Sequence, residues 1–285
     1  PAQSNFSGVQ HSLDWVEQAQ RRGWDVLLDA AAFVPTNRLD LGRVKPDYVV
    51  LSFYKMFGYP TGVGALLARR RALEKLQRPW FAGGTITVAS VQADRHYQAP
   101  GPAAFEEGTQ AYLTIPAVDI GLQLIESVGI EAIHSRVTCL TGWLIDALTS
   151  LRHDNGQPLI QLYGPATTDR RGATLSLNFH DRVGRPIDHR SIERQANRER
   201  ISLRTGCFCN PGAGETALGL SKGELDACFV RSHRRMTFDD FQRCIDGKST
   251  GAVRVSLGLA SNFDDVRATA RFAEQFLDWG DDAED

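Results

Sequence analysis

The sequence predicts an α/β fold in two parts, a large domain with a mainly parallel sheet over residues 1–130 and a compact α/β domain over residues 131–285. Three observations carry this. The short apolar runs Val26-Leu27-Leu28 and Tyr48-Val49-Val50-Leu51 end in polar residues and read as buried strands. Later segments, Ile160-Gln161-Leu162-Tyr163, Thr174-Leu175-Ser176-Leu177-Asn178-Phe179 and Ala252 to Ser256, alternate as half-buried strands do. Between the two sets, a helical pattern from Ile130 to Leu151 is long enough to bridge two domains.

Taken in order, Leu13 to Arg21 reads as an amphipathic helix feeding the strand that ends at Asp29. A loop containing Pro35 and Pro46 leads to the second strand, which closes at Ser52. Val63 to Ala68 is a further strand and Arg71 to Leu76 a short helix. Pro79 to Gly108, with Phe81-Ala82-Gly83-Gly84-Thr85, reads as a Gly/Pro-rich loop, and Ile115 to Ser127 as a helix. In the second part, helices at Ile187 to Glu199 and Phe263 to Trp279 accompany the alternating strands, and Asp281-Asp282-Ala283-Glu284-Asp285 is expected to fray.

Composition excludes several classes. With 42% hydrophobic and 23% charged residues, the 285-residue chain resembles an ordinary soluble protein. A net charge of -2 gives no electrostatic reason to expect nucleic acid or an anionic membrane as partner. No apolar run approaches a membrane span, and no signal peptide is visible. Five cysteines are an odd count, and Cys207-Phe208-Cys209 is too tight for a usual structural disulfide, so reduced thiols and a cytoplasmic location are expected. Cys139, Cys228 and Cys244 fall in helical patterns and are expected in the core. Cys-x-Cys supplies two metal ligands, and His189, the nearest histidine upstream, has no zinc-like spacing to it. No metal is expected.

The chemistry concentrates around Lys55. It lies just past a strand and before the glycines of Gly58-Tyr59-Pro60-Thr61-Gly62-Val63-Gly64. A desolvated lysine there becomes nucleophilic and can hold an aldehyde cofactor covalently; the plain alternative is a solvated loop lysine. Asp29 closes the neighbouring strand, where open α/β sheets bind ligands. Such an aspartate can pair with a pyridinium nitrogen, or simply cap the next segment.

These segments, with Leu203-Arg204-Thr205-Gly206-Cys207-Phe208-Cys209-Asn210-Pro211-Gly212 and Val253-Arg254-Val255-Ser256, resemble the class V aminotransferase (cysteine desulfurase) family of pyridoxal phosphate enzymes. Within it they are most similar to the molybdenum cofactor sulfurases. The resemblance runs from Pro1-Ala2-Gln3-Ser4-Asn5-Phe6-Ser7-Gly8 to the Arg254 segment. It implies the aspartate aminotransferase-like fold (fold type I), with pyridoxal 5'-phosphate (PLP) as cofactor. In the family a further segment precedes this point and supplies phosphate-binding hydroxyls and a ring-stacking aromatic. The large domain is therefore expected to be N-terminally incomplete, the chain being a fragment or one piece of a split protein.

The resemblance also implies roles. Lys55 would be the cofactor lysine and proton shuttle, and Asp29 the partner of the ring nitrogen. Ser52 and Tyr54 would contact the phosphate, Tyr54 standing where many relatives have histidine. Asn5 matches an asparagine near the cofactor hydroxyl or the substrate carboxylate. Ala32 stands where many desulfurases place glutamine or histidine. Thr109 resembles a threonine that reaches the neighbouring subunit's phosphate, which implies a homodimer; otherwise it caps the following helix. Arg254 would clamp the substrate carboxylate with its planar fork, and Arg204 is a second anion contact. Cys209 occupies the desulfurase nucleophile position, taking sulfur from L-cysteine or a related amino acid and passing it to an acceptor. Cys207 could modulate that thiol, receive sulfur, or be a small loop residue. Eukaryotic molybdenum cofactor sulfurases carry a third cysteine where this chain has Gly214. Alternatives are other class V chemistry (selenocysteine or C–S lyase, epimerase, aminotransferase) and a truncated, non-catalytic module.

Overall fold

Leu28 and Val49 stand side by side on neighbouring strands and begin the core of the first of two compact units. The computed structural model describes residues 1–231, 236–245 and 248–279, so the acidic terminus expected to fray lies outside the described residues. The first unit comprises Pro1–Ala2 and His11–Ala132, the second Gln3–Gln10 and Ile133–Asp285.

In the first unit, helix α1 (Asp14–Arg21) precedes β1 (Leu27–Asp29), which pairs in parallel with β2 (Tyr48–Ser52). Strand β3 (Gly64–Ala68) adds on the far side of β2 in antiparallel sense. Successive strand side chains alternate between faces. Leu28, Val49 and Leu51 therefore pack on one side with Ala30, Val34 and Trp15, while Leu27 and Asp29 face the other way and are exposed. The buried Asp47 carboxylate ties the layers together, accepting from Gln20 Nε2 at 2.8 Å and from the Val26 amide at 3.0 Å. One-turn helices α2 (Tyr54–Phe57) and α3 (Arg70–Leu73) flank β3, and α4 (Pro116–Val128) ends the unit's regular structure.

Two expectations are corrected here. Among the described strand pairings only β1–β2 is parallel, so the sheet is not mainly parallel. A parallel neighbour needs a crossover of a dozen or more residues, usually helical, whereas the short connection from β2 to β3 lets the chain fold straight back. The stretch read as a loop from Pro79 to Gly108 contains an antiparallel hairpin, β4 (Ile86–Ser90) with β5 (Arg95–Gln98). Its alternating Ile86-Thr87-Val88 start is a strand signal that the flanking glycines obscured.

The second unit is an antiparallel sheet in the order β6 (Ile160–Tyr163), β7 (Thr174–Phe179), β9 (Ala252–Ser256), β8 (Arg204–Gly206). The three alternating segments expected as strands are strands with those limits; β8 is the addition. Leu175, Leu177, Val253 and Val255 face a core built from α5 (Ile130–Ser150), α6 (His189–Arg198) and α10 (Phe263–Glu274). Leu144, Ile192, Val266 and Phe276 complete it, all fully buried. Helix α10 stops at Glu274 rather than Trp279, and turns then fold Phe276 into the core under Trp279. Its start is fixed by a reciprocal cap between Asn262 and Asp265. Helices α7 (Pro211–Ala217), α8 (Lys222–Arg231) and α9 (Phe238–Cys244) fill the span between β8 and β9. No helix among the described residues is long and apolar enough to cross a membrane.

Cys228 is fully buried, as expected, but the other cysteines of the helices and its pairing depart from expectation. Cys139 is an exposed free thiol on α5 rather than a core residue. Cys228 and Cys244 form a disulfide joining α8 to α9, their Cα atoms 5.6 Å apart and within the range such a bridge spans. Each had a helical context, and pairing across two helices leaves no local spacing signal.

Burial pushes His180 and His189 below the ordinary histidine value of 6.5, against the opposing pull of Asp181 on the first and of Asp188 and Glu193 on the second. The His153 side chain and Arg190 add to the lowering. The folded state thus holds fewer protons than the unfolded chain below 6.5, so stability present above that value is lost as pH falls through it. The melting temperature should drop between about pH 7.5 and about pH 5.5, and the drop should shrink in the His180→Gln, His189→Gln double variant. An unchanged profile in that variant would remove the two imidazoles as the cause.

Candidate functional site

The first unit gathers four of the expected residues at one end of its sheet. Asp29, the last residue of β1, lies level with Val50, β2 runs two residues further to Ser52, and Lys55 follows three residues after that. Helix α2 carries Tyr54 and Lys55. It lasts a single turn because Gly58 adopts φ +84° and its amide turns back to the Tyr54 carbonyl at 2.9 Å. Phe57, on the same turn, lies against Gly121 of α4, where an added Cβ would collide with the ring. Glycine at 121 is what lets this lysine-bearing turn seat.

Lys55 is exposed, and no acceptor holds its ammonium among the described residues, so the desolvation expected of it is not met within this unit. The reason is its place on a short surface turn at a sheet end. Asp29 is also exposed, and its Oδ1 accepts from the Ala31 amide at 3.0 Å. Ser52 is half-buried and Tyr54 exposed. Thr109 is exposed six residues before the Ile115 cap position of α4, so it does not cap that helix.

The second unit gathers the others. Arg254 of β9 is in register with Ser176 of β7 and with Arg204 of β8, so the three share the sheet face opposite Val253 and Val255. Two arginines directly opposed across strands repel one another, and an anion on that face relieves the repulsion. The Arg254 guanidinium sits 4.6 Å from the centre of the Phe208 ring, and its Nη1 donates to the Asn5 carbonyl at 3.3 Å.

Cys209 follows in a tight turn. The Asn210 amide bonds the Cys207 carbonyl at 3.0 Å, and the two central residues, Phe208 and Cys209, adopt φ +56° and +57°. Turns with two left-handed centres favour Gly, Asn or Asp. A side chain there costs about 1–2 kcal/mol per residue through its Cβ. The Phe208 ring is nevertheless buried, 5.5 Å from Phe6, while the Cys207 and Cys209 thiols on either side are exposed. Asn5 Nδ2 donates to the Phe208 carbonyl at 2.7 Å, and Asn5 Oδ1 accepts from Asn210 Nδ2 at 3.0 Å. A Cβ on Gly214 of α7 would lie 3.5 Å from that of Cys207.

The loop carrying Asn5 is fixed by Arg171, which is only 4% exposed. Arg171 donates to the carbonyls of Thr174 at 2.7 Å, Gly172 at 3.2 Å, Ser7 at 3.4 Å and Pro165. Burial lowers its pKa to about 10, which still leaves it charged at neutral pH. Ser176 Oγ adds a 2.6 Å bond to the Phe6 carbonyl.

Sequence reasoning did not single out Phe208, Asn210, Phe6 or Arg171. Asn210 was findable, because asparagine before Pro211 marks a helix start, and its Oδ1 does accept from the Ala213 amide. Arg171 left no local signal: three of its four acceptors are backbone carbonyls within six residues, which any side chain could face, and the fourth, Ser7, comes from a distant stretch of chain.

A family model for class V aminotransferases matches residues 2–269. The chain is 37% identical over 287 residues to the molybdenum cofactor sulfurase of Homo sapiens, covering 95% of this chain and 32% of that protein. It thus spans about a third of the length of the curated relatives it matches. Its fold is that of a cysteine desulfurase from Thermococcus onnurineus NA1, with a TM-score of 0.72 at 20% identity over 97% of this chain and 58% of that one. A variant of C-DES, solved with glycine covalently linked to its PLP cofactor, has a TM-score of 0.67 at 18% identity over 95% of this chain and 58% of that one. With the match extending over all but the first residue and the last stretch of the sequence, the chain belongs to the class V aminotransferase family.

Proposed function

We propose that the chain is the part of a PLP-dependent cysteine desulfurase that holds the cofactor lysine, the carboxylate-binding arginine and the sulfur-accepting thiol. The observation that carries this is the exposed Cys209 on its left-handed turn, adjoining a ring that supports Arg254. An aminotransferase or epimerase has no use for a thiol presented in this way.

The first unit's donor set fits PLP. Lys55 offers an exposed amine for the aldehyde, Asp29 a carboxylate for the ring nitrogen, and Ser52 and Tyr54 hydroxyls for the phosphate. When bound, the cofactor supplies an electron sink for the substrate's Cα. Lys55 moves the α-proton. In the second unit, Arg254 takes the carboxylate of L-cysteine in a bidentate fork, with Arg204 as a second cation on the same face. The Cys209 thiol accepts the substrate sulfur: Cys209–SH and L-cysteine give Cys209–S–SH and L-alanine, and the persulfide passes to an acceptor.

The reading extends to a homodimer in which Thr109 reaches a neighbouring phosphate, and to a cytoplasmic, molybdenum cofactor sulfurase-like role. The similarity to the human sulfurase supports that role; the exposed free thiols Cys139, Cys207 and Cys209 fit the location, and the Cys228–Cys244 disulfide counts against it. Purified protein mixed with PLP should develop a visible absorption band that resists gel filtration, and Lys55→Ala should lose it. A band of equal strength in Lys55→Ala would overturn the assignment of the lysine.

A further inference from the structure

The thiol turn is held by groups that all lead back to Arg254 and Asn5. The Phe208 ring is packed between Phe6 and the Arg254 guanidinium. The Phe208 carbonyl is held by Asn5, whose own carbonyl accepts from Arg254. The other end of the Asn5 amide holds Asn210, the residue that closes the turn. Both polar atoms of the Asn5 side chain are thus spent on the turn. Glycine would take the left-handed positions without strain, yet the chain places an aromatic ring at one and the thiol at the other.

Held strain of this kind points to a positioning role when the surrounding contacts over-determine it. We propose that Phe208 and Asn5 are positioning residues that couple carboxylate binding at Arg254 to presentation of the Cys209 thiol. The proposal rests on the reading of Arg254 and Cys209 given above and adds the link between them. A carboxylate that engages the fork re-aims a guanidinium seated on the Phe208 ring, and that ring belongs to the residue preceding the thiol. The amino-acid backbone of the substrate would then be sensed before its sulfur is attacked.

Cysteine alkylation reads this without turnover. The PLP-loaded protein is treated with iodoacetamide, and labelling of Cys209 is followed by peptide mass spectrometry, with Cys139 as internal reference. L-alanine should change the Cys209 rate by at least about fivefold, the lower end of common coupling strengths, while L-alaninamide, which lacks the carboxylate, should not. Phe208→Leu should cut that response below about twofold with L-alanine affinity retained, Asn5→Ala should do so at saturating L-alanine, and Phe208→Tyr should restore it. A full response in Phe208→Leu, or none in the unmodified protein, overturns the coupling. If L-alanine binding survives Arg254→Lys undiminished, the carboxylate reading itself fails, an outcome distinct from loss of coupling.

Discussion

Cys209→Ser should abolish persulfide formation, lowering sulfide release from L-cysteine by at least about a thousandfold, while Cys207→Ser should stay within about threefold of the parent. The difference follows from the turn. Both thiols are exposed, but Cys209 occupies a left-handed centre whose backbone is fixed by Asn5 and Asn210, whereas Cys207 is the turn's first residue. A serine hydroxyl cannot accept sulfur to make a stable persulfide, so no residual pathway through position 209 remains. Mass spectrometry of the protein after L-cysteine should show one added sulfur on the peptide containing Cys209. Should the added sulfur sit on Cys207 instead, or turnover survive in Cys209→Ser, the assignment of the acceptor thiol is wrong.

Arg171→Met should cost the second unit about 3–5 kcal/mol, measured as a shift in the urea midpoint at unchanged slope. Methionine fills much of the same volume but donates nothing. The carbonyls of Pro165, Gly172, Thr174 and Ser7 would lose their donor in a site that excludes water. The Arg171 charge is held by these peptide dipoles. Since that loop also carries Asn5, the variant should bring faster Cys209 alkylation along with its lower stability. A midpoint within about 1 kcal/mol of the parent would show that the loop finds other donors.

The sequence made the second unit's strands legible because their alternation is strict. In Thr174-Leu175-Ser176-Leu177-Asn178-Phe179 the leucines go to the core and Ser176 to the polar face shared with Arg254. The first sheet was legible only in its parallel pair. The direction of β3 depends on how the intervening turn closes around Gly58, and the hairpin at Ile86 was masked by glycine and proline on either side. Among the candidate residues, those with distinctive chemistry, Lys55 in the first unit and Cys209 and Arg254 in the second, are marked by type and spacing. Those that act by contact are not. Phe208 is an ordinary aromatic in sequence, and only three-dimensional packing places it beneath a guanidinium. The Cys228–Cys244 pairing was hidden for the same reason: it depends on where two helices meet.

The gap at Gly214 gives the thiol turn an engineering handle. A side-chain carbon added there would stand 3.5 Å from the Cys207 Cβ, at the short end of the separation that a disulfide requires. A single Gly214→Cys exchange would therefore place a staple between helix α7 and the first residue of the turn, closed by mild oxidant and opened by reductant. The turn's freedom is then set from outside by redox buffer.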